Sequence, residues 1–228
     1  MPLLGYVCFD APFITLIARA GGVANLHQSK SHRVFFQVDN AMHYDREIES
    51  TMKIKVARTG DLRALYAHLI RHGAESGKNN DYVFAPYDEP CERPWAEFKT
   101  ESEKRWTLSL SECGWERCWF LVVGKEVRGH LRLRHAAGLQ TSLHRALLMM
   151  GIENGYRGKG HGSEFMCTSL KWAKTKKSLA WVQLNVFAHN RPARALYRKF
   201  GFKRVGYNRD LFRVQGQPID DIEMSVRL

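Results

Sequence analysis

Arg157-Gly158-Lys159-Gly160-His161-Gly162 stands between an apolar run, Leu143 to Ile152, and a helical stripe. In that stripe Gly162, Phe165, Met166, Ser169, Leu170 and Ala173 fall on one face of a helix. The segment therefore reads as strand, glycine loop and helix. Three glycines at alternate positions let the backbone turn sharply and approach a ligand closely. At a helix N-terminus, unpaired amides and the helix dipole favour an anion. The sequence describes a phosphate cradle.

Two common cradles do not fit. Measured from Gly155, a Walker A loop places Gly160 correctly, but His161 and Gly162 stand where Lys and Ser or Thr are needed. The dinucleotide fingerprint has a wider last gap than this loop, and wants an acid about 20 residues on. After Glu164 the next acidic residue is Asp210.

Working outward, Trp181 to Phe187 alternates as a strand. Asn190 is an N-cap, Pro192 sits near the helix start and Gly201 where a helix stops. Between them Ala193, Leu196, Tyr197 and Phe200 share a face. Phe202 to Tyr207 and Ile222 to Leu228 read as closing strands. Towards the N-terminus, Lys53 to Val56 alternates, and Thr59 is a plausible N-cap. Leu62, Leu65, Tyr66, Leu69 and Ile70 then form an amphipathic stripe. Ser76 to Pro90 reads as a loop and Pro94 to Trp106 as a helix. Cys118 to Val123 and Glu126 to Arg134 read as strands. The order is β-α-α-β-β-β-α-β-α-β-β, a mixed α/β (α+β) domain.

The chain has 228 residues, 44% of them hydrophobic, which suits one globular domain with an appendage. Residues 1–51 carry a net charge of −1 and weak periodicity, apart from a possible strand at Arg33 to Val38. They read as an N-terminal extension, with the domain at 52–228. No apolar run approaches the roughly 18 residues of a membrane span. The first eighteen residues hold no Lys or Arg, so a secretory signal is not expected. Five cysteines, an odd number without paired spacing, suit a reducing compartment and give no metal site. The expectation is a cytoplasmic protein without a metal. Its net charge of +12 implies an anionic partner. From Phe165 to Arg209 there are eleven Lys or Arg and no acid, so much of that charge follows the cradle.

Arg157-x-x-Gly160-x-Gly162 resembles the acetyl-CoA signature of the GCN5-related N-acetyltransferase (GNAT) superfamily. Asn190-x-x-Ala193-x-x-Leu196-Tyr197-x-Lys199-x-Gly201-Phe202 resembles that superfamily's second signature, and the order of elements is similar too. Pro218 to Met224 is similar to the ribosomal-protein and small-amine branch. The resemblance implies a mostly antiparallel central sheet flanked by helices. It implies that acetyl-CoA is the cosubstrate, with backbone groups of Met150, Gly151 and Ile152 meeting its pantetheine arm. Amides of Arg157, Gly158, Lys159, Gly160, His161 and Gly162 would bind the pyrophosphate. Asn190 would hydrogen-bond the arm, and Tyr197 would protonate the departing thiolate.

Acetyl transfer from a thioester needs a neutral amine, a polarised carbonyl and a stabilised thiolate, without a covalent enzyme intermediate. Some members of the superfamily carry a Glu base on the fifth strand, where this chain has Asn185. Glu153 is the best substitute and His189 a weaker one; a water relay or an amine that arrives neutral is equally open. The expected acceptor is a primary amine on a protein N-terminus, a lysine or a small molecule. A monomer or homodimer fits equally. The alternative is a non-catalytic basic module of the same fold that binds RNA or the ribosome.

Overall fold

The computed structural model describes residues 52–78, 81–87 and 93–228. The strand expected at Arg33 to Val38 lies outside them. Seven strands form one sheet: β1 (Lys53–Val56), β2 (Glu116–Val123), β3 (Glu126–His135), β4 (Arg145–Ile152), β5 (Trp181–Phe187), β6 (Lys203–Val214) and β7 (Gln217–Arg227). Their spatial order is β1-β2-β3-β4-β5-β7-β6. Every pairing is antiparallel except β4 with β5. Among the described residues four α-helices flank it: α1 (Leu62–Gly73), α2 (Trp95–Thr107), α3 (His161–Lys174) and α4 (Arg191–Lys199). The order and the mixed class agree with the sequence reading. No helix among the described residues is long and apolar enough to cross a membrane.

Strand alternation sorts the side chains between two layers. Trp119, Leu121, Leu131 and Leu133 face α3 and α4, where Phe165, Met166, Leu170 and Tyr197 complete one core. Phe120 and Val122 face the other way, packing with Leu62 and Leu65 of α1 and Phe98 of α2. On that second face Arg132 makes a two-pronged pair with Glu116, at 2.9 and 2.8 Å. The Trp106 indole also donates to Glu116, at 2.9 Å. Burial opposes the charge on Glu116, yet Arg132 and Trp106 hold its carboxyl below the usual range.

Two local readings are corrected. Thr59 does not cap α1; residues Thr59–Asp61 form a 3₁₀ turn before it. Asp61 drives this, accepting from the Arg58 amide at 2.9 Å and pairing with Lys55 at 2.9 Å. The closing strands are longer than expected. Most of β6 faces solvent on both sides, so alternation had nothing to mark there.

Candidate active site

The single parallel pairing creates a fork. β4 and β5 are joined only through Arg145↔Trp181, Ala146↔Val182 and Leu147↔Gln183. Beyond that point β5 stays with β7 as far as Phe187↔Asp221. β4 stays with β3 as far as Gly129↔Ile152. The edge of β4 that faces β5 therefore has no strand partner at Met150, Gly151 and Ile152. Unpaired amides and carbonyls on such an edge accept an extended ligand as an added strand.

The fork opens towards the glycine loop. Gly158 and Gly160 adopt φ of +74° and +91°, a region that L side chains rarely enter. The amides of Ser163 and Glu164 turn back to the Gly160 carbonyl. Those of Gly158, Lys159, Gly160, His161 and Gly162 donate to no backbone carbonyl among the described residues. Five amides without a backbone partner among the described residues thus lie at the start of a fourteen-residue helix, an arrangement that suits an anion. Gly162 serves packing as well: a Cβ there would stand 3.0 Å from Leu196 of α4.

Arg157 departs from expectation. Its amide donates to the Asn154 carbonyl at 3.1 Å and so is not free for a ligand. Its side chain donates to the Ile152 carbonyl at 2.6 Å and to Glu75 at 2.7 Å, and pairs with Asp81. It ties the loop to the end of α1 from behind. The partners lie 82 and 76 residues away in the chain, beyond any local pattern.

Asn190 caps α4, its side chain accepting from the Ala193 amide at 3.1 Å. Two turns after that cap helical periodicity puts Tyr197 on the buried face, 6% exposed and against Phe202. Its hydroxyl finds no hydrogen-bond partner among the described residues, and burial pushes the phenol up to about 12. His161 has one ring nitrogen buried without a partner and the other 3.7 Å from Glu164.

Glu153 is held rather than presented. Its Oε1 accepts from His68 Nδ1 at 2.8 Å and from Arg71 at 3.0 Å, and its Oε2 accepts from Arg128 at 2.9 Å. Burial opposes ionisation, but His68, Arg128 and Arg71 hold the carboxyl below its ordinary range. Direct proton uptake by this oxygen pair is therefore disfavoured. His68 in turn bonds to His130, Nε2 to Nδ1, at 2.9 Å. The His72 ring stacks between Phe84 and His68. It is held neutral, with a pKa of about 3, by burial and by nearby His68 and Arg157. Both His72 and His130 lie over Gly151: a Cβ there would stand 2.5 Å from His72 and 2.8 Å from His130. Only glycine leaves room for two imidazoles on the strand where the fork opens.

Sequence reading missed this cluster. Its visible trace was His68 and His72 four apart on the α1 stripe, together with His130 on the opposite face of β3 from Leu131. His189, the weaker base candidate, bonds through Nε2 to the Val83 carbonyl at 2.8 Å. Asn185 donates to Asp221 at 2.6 Å. On the α1 side a cavity of about 500 Å³ runs from Tyr66 and Ile70 past Val83 and Arg132 to Ile219.

The site is thus a parallel pair splayed into a fork, with a glycine-rich loop at its mouth. The sequence profile of the acetyltransferase (GNAT) family matches residues 79–202, more than half of the chain. The chain belongs to the acetyltransferase (GNAT) family. It is 37% identical over 67 residues to N-alpha-acetyltransferase RimI of Mycobacterium tuberculosis. That match covers 29% of this chain and 40% of the relative's length. The fold is shared with a Streptococcus pneumoniae GNAT acetyltransferase (TM-score 0.65, 20% identity, 78% of this chain and 99% of that one). It is also shared with a Sinorhizobium meliloti phosphinothricin acetyltransferase in complex with acetyl-CoA (TM-score 0.61, 15% identity, 78% and 89%).

Proposed function

We propose that this protein transfers the acetyl group of acetyl-CoA to a primary amine by direct attack in a ternary complex. The observation that carries the reading is the fork with its unpaired β4 edge, leading into five free amides at the start of α3. An extended pantetheine arm fits the edge at Met150, Gly151 and Ile152. A pyrophosphate fits the cradle from Gly158 to Gly162. A backbone amide on the open edge of β4 would receive the developing oxyanion.

Tyr197 sits in the core on the α3 and α4 side of the sheet. A phenol near 12 stays protonated beside a thiol whose ordinary pKa is about 8.5. That gap makes Tyr197 a hydrogen-bond donor to the leaving sulfur, with full proton loss from the phenol uphill. Asn190 would hydrogen-bond the arm while it caps α4. We assign the acceptor amine to the cavity on the α1 side, on the opposite face of the sheet from Tyr197. The similarity to RimI favours an N-terminal α-amine among the possible acceptors.

The reading is tested by incubating the protein with acetyl-CoA and three acceptors, following release of the CoA thiol. The acceptors are a hexapeptide with a free N-terminus, an N-terminally blocked peptide carrying one lysine, and a simple aliphatic diamine. Acceptor-dependent thiol release with the acetylated product is expected for at least one. No product from any acceptor, with a folded sample, contradicts the proposal.

A further inference from the structure

We infer that His130 is the base of this reaction, set in place by His68 and Glu153, and that it takes the proton the acceptor amine loses. The inference rests on the acetyl-transfer reading above.

Hydrogen-bond polarity carries the argument. Glu153 is ionised and can only accept, so the proton between it and His68 sits on His68 Nδ1. A neutral His68 then has a lone pair on Nε2, which must accept from His130 Nδ1–H. The remaining nitrogen of His130, Nε2, is left as a lone pair with no partner among the described residues. Three side chains that are 0%, 6% and 6% exposed thus form a chain of fixed direction, from a carboxylate to a free imidazole nitrogen. That imidazole lies against Gly151 on the α1 side, and Arg132, two residues further along its strand, lines the cavity. Tyr197 belongs to the opposite side of the sheet. Base and thiol-side donor therefore flank the fork from its two faces.

His72 also lies over Gly151, but its Nδ1 is 3.3 Å from its orienting carboxylate, Glu75. The links that orient His130 are 2.8 and 2.9 Å. The titratable and charged groups that act on His130 are His68 and His72 from α1 and Arg132 on its own strand. Burial first, then His68 and Arg132, keep its ring neutral and its lone pair available.

The neutral amine nitrogen bonds to the acetyl carbon, and the carbonyl π electrons move to oxygen. The nitrogen becomes far more acidic as that bond forms, so a weak base suffices; His130 Nε2 takes one proton from it. The carbonyl re-forms, the carbon–sulfur bond breaks and the thiolate leaves against the Tyr197 hydroxyl. The proton on His130 returns to the thiolate through solvent, giving amide and free thiol.

The test uses the full chain, acetyl-CoA and the three acceptors named above. His130→Asn is expected to lower kcat about 100-fold, as loss of general-base help does, with acetyl-CoA affinity unchanged. Glu153→Gln keeps an oxygen to accept from His68 but removes the charge. It is expected to lower kcat less, and to move the acid limb of the pH–rate profile to lower pH, since protonated His130 loses its counterion. Full kcat in a folded His130→Asn protein overturns the assignment, as does a loss that falls on His72→Asn instead. If His130→Asn does not fold, the Glu153→Gln profile decides: an unmoved acid limb overturns the relay. A wild-type protein that binds acetyl-CoA but acetylates none of the acceptors removes the transfer reading and the base with it.

Discussion

Gly160→Glu is expected to weaken acetyl-CoA binding by at least about 100-fold, or about 2.7 kcal/mol. Two causes add. Gly160 sits at φ +91°, and a non-glycine residue there costs about 1–2 kcal/mol, which the loop relieves by turning out of shape. The new carboxylate also enters a cradle built for an anion, and like charges brought together cost several kcal/mol. A Cβ at 160 meets no atom within 4 Å, so the fold outside the loop is expected to stand. Calorimetry on the variant checks this, with circular dichroism to show that the protein is folded. Binding retained at the wild-type affinity would mean that the loop does not hold the pyrophosphate.

Tyr197→Phe is expected to cost about 10² or more in kcat, the range for loss of a proton-donating group. The change removes only a hydroxyl that has no hydrogen-bond partner among the described residues. The ring keeps its place in the core with Phe202, so stability should hold or rise slightly. Acetyl-CoA affinity should stay within about twofold, because a donor to the leaving sulfur matters most as charge develops there. The measurements are kcat, KM and the acetyl-CoA dissociation constant. A Tyr197→Phe protein with unchanged kcat would remove the phenol from the chemistry and leave it a core aromatic.

The parts of this site that were legible in the sequence are those built from neighbours along the chain. The cradle, the α3 stripe and the Asn190 cap each span a few residues, and local periodicity and φ requirements mark them. The histidine chain is different. His68 lies 85 residues from Glu153 and 62 from His130, and only the sheet brings the three together. In the sequence His130 reads as one more residue among the charges of β3. Glu153 was singled out by position at the end of β4. What position does not give is that three donors engage it, which turns it from a free base into the fixed end of a relay. Arg157 fits its motif by residue type, yet its side chain serves Glu75 and Asp81. The residues from 1 to 51 lie outside the described structure; their reading as an extension is still a proposal, tested by expressing residues 52–228.

The central claim is that the fork and cradle hold acetyl-CoA, and calorimetric titration of the wild-type chain with acetyl-CoA at low and high salt measures it most directly. The account predicts saturable one-to-one binding that persists at high salt, because the β4 edge and the backbone amides supply contacts that salt screens little. A folded sample that takes up no acetyl-CoA, while binding RNA with a log affinity that falls steeply and linearly with log salt, would contradict it.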